Sequence, residues 1–185
     1  MIYSTDNKGF SILETVLVAG LILILLGLAI PGFSRYWEVY RLNSAVQTML
    51  SNLNRGRYRA IAGNRKVVVR FQPEQRAYRL FEDRDGNGLW GPSEPLVGAY
   101  VLPNQVDFSG TGLSGPPASA RPRPATDAIT FSGDRFTFNP EGYCNKLGTI
   151  YLQNASGDAA AISCSMPGVG RLRRYGWHDA KGVWE

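Results

Sequence analysis

The feature that constrains this chain most is an uninterrupted apolar run near its N-terminus. Val16 to Ile30 contains no polar side chain, and Pro31 follows it. At about 1.5 Å of rise per residue, roughly 20 helical residues span the ~30 Å hydrocarbon layer of a membrane, and the segment that begins at Phe10 reaches that length. Glu14 is its only charge, and a carboxylate in such a segment is costly unless it is paired. The segment therefore predicts a membrane or assembly-core helix with one functional carboxylate.

The residues before this run resemble a prepilin signal. Lys8-Gly9-Phe10-Ser11-Ile12-Leu13-Glu14 is similar to the signal of type IV pilins and of the pseudopilins of type II secretion. In that family a short polar leader ends in Gly, a Phe becomes the new N-terminus, and a Glu is the fifth mature residue. Here these are Gly9, Phe10 and Glu14, while Ser11-Ile12-Leu13 replaces the more usual Thr-Leu-Ile. The alternative is an ordinary signal peptide or anchor, but a charge inside the apolar region argues against a secretory signal.

This resemblance implies a processing and assembly pathway. It implies cleavage after Gly9 by a prepilin peptidase and N-methylation of Phe10. It implies that Glu14 neutralises the N-terminal amine of a neighbouring subunit, which agrees with the strong preference of opposite charges for pairing at low dielectric. The implied partners are other pilins or pseudopilins, the peptidase and an inner-membrane assembly platform. The implied location is the bacterial inner membrane as a single-pass protein with its C-terminal domain outside the cytoplasm, and the pilus or pseudopilus after assembly.

Beyond Pro31 the chain continues as a polar segment with one apolar stripe. The stripe residues recur every three or four positions, which predicts an amphipathic helix docked on a globular domain. They are Leu42, Val46, Met49 and Leu53, with Ala45 and Leu50 alongside. We expect a kink or local melting at Pro31-Gly32, because proline removes a backbone donor, and a helix end at Gly63-Asn64.

After residue 63 the pattern changes to short segments rich in β-branched and aromatic residues, separated by turn residues. The predicted strands are Lys66–Phe71, Ala77–Glu82, Leu96–Leu102, Gln105–Phe108, Ala128–Ser132, Arg135–Asn139, Gly148–Gln153, Ala159–Cys164 and Gly170–Tyr175. The expected fold class is α+β and type IV pilin-like, with a long N-terminal, partly transmembrane helix packed on a small antiparallel β-sheet domain. The expected parts are a leader at 1–9, a transmembrane or filament-core helix half at 10–35, an amphipathic helix half at 36–63 and a β domain at 64–185.

The order of segments in the β domain resembles the GspH/FimT family of minor pilins and minor pseudopilins. The segments that carry this resemblance are Lys66–Phe71, the Asp- and Gly-rich loop from Glu82, Phe136–Gly142, Gly148–Leu152 and Gly170–Arg173. The resemblance implies a minor subunit that helps to initiate or cap a type IV pilus or a type II secretion pseudopilus. Residues 109–127 lie outside it, and their Gly, Pro, Ser and Ala content predicts a mobile surface loop.

The loop after the second predicted strand carries a calcium-binding pattern. Residues 83–94 match D-x-[DN]-x-[DN]-G-x5-E at every fixed position, with Gly88 at the sharp turn. Ca²⁺ prefers oxygen ligands. The expected ligands are the side chains of Asp83, Asp85, Asn87 and Glu94 and the carbonyl of Leu89. The flanks are predicted strands rather than the helices of an EF-hand, and Pro92 lies inside the loop, so a metal-free hairpin loop is the alternative.

Three arginines near the C-terminus form a candidate nucleic-acid surface. They are Arg171, Arg173 and Arg174, with Trp177 nearby. In a strand Arg171 and Arg173 face the same side, where they could hold phosphates beside stacking aromatic rings. Gly170-Arg171-Leu172-Arg173 also resembles the Gly-Arg-x-Arg of DNA-binding FimT-type minor pilins, and Arg121 and Arg123 in the loop could add to the surface. The alternative is a solvated edge strand that its arginines keep from aggregating.

Composition adds two further expectations. The net charge is +5, which removal of the leader with its one Lys and one Asp leaves unchanged, and this suggests an anionic partner. An exported domain with two cysteines favours a disulfide between Cys144 and Cys164, and two buried free thiols are the alternative.

The sequence does not predict an enzyme. His178 is the single histidine and has no partner pattern for catalysis or zinc, and there is no nucleophile elbow, phosphate loop or CxxC motif. The sequence therefore leaves three candidate functions to be tested. The first is a structural minor pilin or pseudopilin, the second is a pilus-associated DNA receptor for uptake in natural transformation, and the third is a monomeric, membrane-anchored calcium-binding protein.

Overall fold

The computed structural model of this protein describes residues 11–110, 113, 127–164, 171–178 and 183–184, without the side chains of residues 28–34, 178 and 183. The chain forms two compact units, residues 1–37 and 38–185. One helix, α1, covers Ile12–Gly63. Gly9, Phe10, Arg121, Arg123, Gly170 and the side chain of His178 lie outside the described residues, as does most of the loop predicted at 109–127.

Local chemistry explains both ends of α1. At the N-terminus the Leu13 N–H donates to Ser11 Oγ at 3.3 Å, which satisfies one of the free donors of the first turn. At the C-terminus Asn64 takes a left-handed conformation with φ 48°. The Arg65 N–H then donates to the Ala60 carbonyl at 3.1 Å, as in a Schellman cap. The stop expected at Gly63-Asn64 is confirmed.

Nine strands follow the helix. They are β1 (Lys66–Gln72), β2 (Ala77–Asp83), β3 (Leu96–Val101), β4 (Val106–Phe108), β5 (Arg135–Phe138), β6 (Gly148–Asn154), β7 (Ala159–Cys164), β8 (Leu172–His178) and β9 (Val183–Trp184), with a 3₁₀ turn at Pro73–Gln75. The first sheet has the order β3-β2-β1-β5 and the second β4-β6-β7-β8-β9. All of these strand pairs are antiparallel, so the α+β class expected from the sequence is confirmed.

The helix from Glu38 onward and both sheets share one hydrophobic core. The predicted stripe is buried: Leu42, Ala45, Val46, Met49 and Leu53 are at most 6% exposed, and Leu50 packs partly against them. Phenylalanines from the β domain fill the space opposite the stripe, namely Phe71, Phe108, Phe131, Phe136 and Phe138. This packing removes the apolar face of the helix from water and is its main source of stability.

A smaller cluster covers the outer side of the second sheet. It contains Leu113, Tyr151, Ala159, Ala161 and Trp184, and Tyr175 and Trp177 pack against it. The second sheet is therefore buried on both faces along β7, where all six residues are buried.

One expectation about local structure was wrong. Ala128–Ser132 is not a strand, because it makes one bridge, Ile129 to Ile150, before Gly133 and Asp134 turn the chain with φ of 72° and 50°. Pro31 and Gly32 lie inside α1, and helix continues through them without local melting, since a proline removes only one of the many hydrogen bonds of a 52-residue helix. The kink expected there stays a prediction. Within the described residues, no helix has both the length and the apolarity that a membrane crossing requires.

Candidate functional site

The first turn of α1 carries the carboxylate that the sequence singles out. Glu14 is exposed, and it lies next to the N-terminal end of the helix, where a negative charge is favoured by the helix dipole. The neighbouring Ile12 and Leu13 are 85% and 77% exposed. A charge surrounded by exposed apolar side chains is suited to pairing with a cation once those side chains are covered.

The rest of the first unit presents apolar side chains to its surroundings. The large side chains that are at least 45% exposed include Val16, Leu17, Val18, Leu21, Ile22, Leu23, Ile24, Leu25 and Leu26. They occur at consecutive positions and therefore surround the helix instead of forming one stripe. Water does not favour so much contiguous apolar surface, which marks the segment as one that inserts into lipid or packs among other helices.

Arg173 and Arg174 lie on opposite faces of β8, and Arg171 directly precedes that strand. Arg173 pairs with Ser163 of β7 and Arg174 with Ile162, so their side chains point in opposite directions. Arg174 donates from Nη2 to Asn43 Oδ1 on α1 at 2.5 Å. Arg171 and Arg173 are exposed, and Arg173 shares its face with Tyr175 and Trp177. Only two of the three predicted residues are thus available to a ligand on the outer face.

The aromatic rings on that outer face already pack on one another. The Trp177 and Trp184 rings are 5.1 Å apart between centroids, and Tyr151 and Trp184 are 5.7 Å apart. Burial raises the pKa of the Tyr151 hydroxyl above its ordinary value. These contacts pack the rings against one another on the outer side of the second sheet.

The predicted calcium loop brings three of its four side-chain ligands together. Carboxylate oxygens of Asp83, Asp85 and Glu94 lie within 4.8 Å of one another. Asn87 is engaged locally instead, since its Oδ1 accepts the Leu89 N–H at 2.5 Å. The arrangement offers the hard oxygen ligands that Ca²⁺ prefers.

The same loop is also closed by hydrogen bonds that need no cation. Glu94 is 6% exposed, and its two oxygens accept the N–H groups of Arg84 at 3.1 Å and Gly91 at 3.0 Å. Gly86 and Gly88 take positive φ values of 79° and 68°, which a residue with a Cβ adopts at a cost. Calcium binding at this loop therefore stays a prediction.

The two cysteines are adjacent and buried. Cys144 and Cys164 are free thiols in the structure, and the disulfide expected from the cysteine count stays a prediction. A hydrogen bond to Cys164, together with burial, raises the pKa of the Cys144 thiol. The strands explain their proximity, because Cys144 forms a bridge with Phe138 at the end of β5, and Cys164 ends β7.

Comparison with known proteins identifies the family. The model of the family described as type II transport protein GspH matches residues 45–168 of this chain. The chain belongs to this family. The matched residues include the acidic loop and both cysteines, whereas Glu14 and Arg171–Arg174 lie outside them.

Two individual proteins are similar to this GspH-family chain. The pilin-like protein PilA1 of Thermus thermophilus is 33% identical over 89 residues, which cover 48% of this chain and 56% of PilA1. The chain thus aligns with little more than half the length of that relative. The structure of the minor pseudopilin EpsH from the type 2 secretion system of Vibrio cholerae is 12% identical, with a TM-score of 0.49 over 72% of this chain and 95% of EpsH.

Family membership confirms the pilin-like resemblance predicted from the sequence. The chain is a member of the family described as type II transport protein GspH, and part of it is similar to a pilin-like protein.

Sequence reasoning missed the contacts that join distant parts of the GspH-type domain. Arg59 Nε lies 2.8 Å from Glu82 Oε1, whose side chain is nearly fully buried. Asn43 accepts a hydrogen bond from Arg174, which lies 131 positions later in the sequence. Neither pair has a signal in the sequence, because long-range side-chain pairing depends on the register with which the sheets pack on the helix.

Proposed function

We propose that this protein is a minor subunit that helps to initiate or cap a type IV pilus or a type II secretion pseudopilus. The helix before Glu38 is the part that enters the filament core. The observation that carries this proposal is the ring of exposed apolar side chains on that helix, together with a single exposed carboxylate in its first turn. Buried among other helices, those side chains would gain about 25 cal/mol for each Å² removed from water.

Glu14 is the residue proposed to direct this assembly. After cleavage behind Gly9, the amine of Phe10 would be the new N-terminus of each subunit. Glu14 of one subunit and the amine of a neighbour would then neutralise each other in the apolar core. Removing one partner of a buried ion pair costs about 3–5 kcal/mol, because the other charge stays buried alone.

Before assembly, we propose that the apolar run Val16–Ile30 holds the subunit in the inner membrane with the β domain outside the cytoplasm. Prepilin peptidase and an assembly platform would act on it there. The support is the lack of polar side chains in this run, which lies within a longer apolar segment that begins at Phe10.

Substitution of Glu14 tests the assembly role. Glu14→Ala should remove the subunit from filaments sheared from cells, while leaving its amount in the membrane fraction unchanged. Glu74→Ala is a matched control, because Glu74 is an exposed carboxylate on the 3₁₀ turn of the β domain. Normal incorporation of the Glu14→Ala subunit would refute the assembly role.

A count of copies per filament tests the minor, initiating role. We expect the subunit at one end of each filament, and we expect cells that lack it to make fewer filaments of unchanged length. Quantitative immunogold labelling of isolated filaments measures both. Labelling spread along the whole filament would contradict a capping or initiating subunit.

A second candidate function is DNA binding in uptake. It is favoured by one observation, the exposure of Arg171 and Arg173 on a chain with net charge +5. Two such phosphate contacts would give an affinity that falls with salt, because each contact releases counterions.

The DNA candidate is tested with double-stranded DNA at two salt concentrations. The double variant Arg171→Gln/Arg173→Gln is compared with Arg65→Gln/Lys66→Gln, which removes the same charge from two exposed residues elsewhere. DNA binding predicts loss of affinity in the first variant alone. An equal loss in both variants would indicate a response to net charge, and no binding at low salt would exclude the receptor role.

A further inference from the structure

The first sheet has one edge that nothing covers within the described residues. Its outermost strand is β3, which pairs only with β2. The six residues of β3 carry no charge, and Leu96 and Val101 are 49% and 74% exposed. Natural sheets usually protect such an edge with charged residues, because its free N–H and C=O groups invite another strand.

The register of β3 shows which backbone groups are free. The N–H of Leu102 donates to the Arg76 carbonyl at 2.8 Å, so Leu102 faces β2. Successive residues of an antiparallel strand point their backbone groups to alternate sides. Tyr100 and Gly98 therefore also face β2, opposite Tyr78 and Leu80. Ala99 and Val101 direct their N–H and C=O groups outward.

The other edges of the two sheets are shorter or closed in the part of the chain that the structure describes. The edge of β5 is occupied by Asn145, whose Oδ1 accepts the Thr137 N–H at 2.8 Å and whose own N–H donates to Thr137 at 3.0 Å. The β4 strand has three residues, and its Asp107 forms an ion pair with Arg76. The β9 strand has two residues. Among these edges, β3 is therefore the one best suited to pair with an added strand.

Two grooves beside β3 define what an added strand would carry. The groove at the Leu96 end has a volume of about 440 Å³ and is lined by Arg55, Tyr58 and Arg59 of α1. Arg59 is paired with Glu82, whereas Arg55 is exposed and has no partner among the described residues. This groove is therefore suited to a carboxylate.

The groove at the Val101 end has a different chemistry. Its volume is about 430 Å³, and Ala45, Tyr100 and Leu102 line it together with uncharged polar residues, so it suits an apolar side chain. Val97 and Val101 mark the two ends, four residues apart, which is ~13 Å at ~3.3 Å per strand residue. Side chains four positions apart lie on the same face of an added strand and could fill both grooves.

We propose that the outer edge of β3 binds, by strand addition, an extended segment of a neighbouring filament subunit that carries a carboxylate four residues from an apolar side chain. The main-chain bonds to Ala99 and Val101 supply the affinity, and the two grooves supply the specificity. Arg55 binds the carboxylate. The proposal rests on the proposed function only in taking the partner to be another subunit of the same filament.

Hydrogen exchange of the full chain tests this proposal, measured free in detergent and within filaments isolated from cells that make all subunits. The amides of Ala99 and Val101 should exchange at least about tenfold more slowly in the filament, because each gains a hydrogen bond. If the chain enters filaments but the exchange of these amides is unchanged, strand addition is overturned while the proposed function stands. Absence of the chain from filaments overturns the proposed function and, with it, the partner named here.

Paired variants separate strand addition from general damage. Ala99→Pro removes an outward N–H but no bond to β2, and edge strands tolerate such a proline. It should lower incorporation at least about fivefold, whereas Ala99→Val, which keeps the N–H, should not. Arg55→Glu should also lower incorporation, and Arg65→Glu, an equal charge change at an exposed residue outside both grooves, should not. If Ala99→Pro lowers the unfolding temperature of the free chain, the comparison of Arg55→Glu with Arg65→Glu becomes the deciding test. An equal loss of incorporation into filaments in these two charge variants would overturn the proposal.

Discussion

The two parts of α1 have the same secondary structure and opposite surroundings. Before Glu38, the large side chains are exposed at consecutive positions, as at Leu17 with 67% and Ile24 with 63%. From Glu38 onward, one stripe is buried, with Met49 and Leu53 fully inaccessible. A single helix can thus carry two different folding problems. The apolar stripe of the second part is buried by the domain to which it belongs. The apolar side chains of the first part are left exposed by the residues that the structure describes.

The strongest test of this contrast is truncation of one side chain in each part. Met49→Ala should destabilise the domain by about 2–5 kcal/mol, because it removes buried methylenes and leaves a cavity. Leu17→Ala should change the free energy of unfolding by less than about 0.5 kcal/mol, since Leu17 is exposed. Denaturant unfolding followed by tryptophan fluorescence measures both. A similar loss in the two variants would show that the two parts fold as one unit.

A second prediction concerns the cysteines, which supply stability only to the second unit. We expect Cys144 and Cys164 to form a disulfide when the domain folds in an oxidising compartment, since the two thiols already lie side by side. Reduction should then cost about 2–4 kcal/mol of stability. Alkylation of the denatured chain measures the state, with the reduced chain as the control that labels at both positions. Labelling of both cysteines without reduction would contradict the disulfide.

The third prediction uses pH on a tyrosine beneath the helix stripe. Burial raises the pKa of Tyr78 to about 12, against an ordinary value of 10.0, while a hydrogen bond from Asn52 opposes part of this shift. Because the folded-state pKa is the higher one, the stabilisation is complete below pH 10 and is lost as the pH rises towards 12. The loss should be of the order of 2 kcal/mol. The free energy of unfolding should depend less on pH across this range in Tyr78→Phe than in the unmodified protein. Tyr58→Phe, at an exposed tyrosine, should leave this pH dependence unchanged.

The smallest predicted effect lies where β8 meets the helix. Asn43→Ala removes the acceptor of the Arg174 guanidinium at an exposed site, so it should cost at most about 1 kcal/mol. Arg173→Gln, on the other face of β8, should cost less than about 0.5 kcal/mol. Thermal unfolding of the two variants compares the faces. A larger loss for Arg173→Gln would mean that the outer face also serves the fold.

Much of the fold was predictable because it follows periodic patterns. The helix stripe from Leu42 to Leu53 is determined by which residues must leave water, and the structure confirms it. The strand predicted at Ala77–Glu82 is also present, although its burial alternates only as far as Leu80, because Phe81 and Glu82 are buried as well. The stop at Asn64 followed from the conformational preference of one residue type. The segment at 128–132 was misassigned because its composition suits a strand, while its pairing depends on a turn at Gly133 and Asp134.

For the candidate sites, the sequence predicted which residues belong together but not how their side chains are arranged. The family was predicted from the order of segments in the β domain, and the prediction for Glu14 rests on a short linear motif, so neither needed knowledge of packing. The separation of Arg174 from Arg171 and Arg173 could have been read from strand alternation, but the hydrogen bond to Asn43 could not. Asn87 fits the calcium pattern in sequence and still turns its oxygen towards Leu89 in the structure. Side-chain direction within an irregular loop depends on local hydrogen bonds that a pattern of residue types does not encode.

The alternation of β8 has a consequence for how such a subunit can change over evolutionary time. Arg174 is committed to the helix, so substitutions there are expected to affect folding. Arg171 and Arg173 project from the outer face. These two positions can be exchanged for other residues with little penalty to stability. One strand thus separates an arginine that contacts the helix from one that faces outward, and a subunit built this way can acquire or lose a ligand without redesign of its interior.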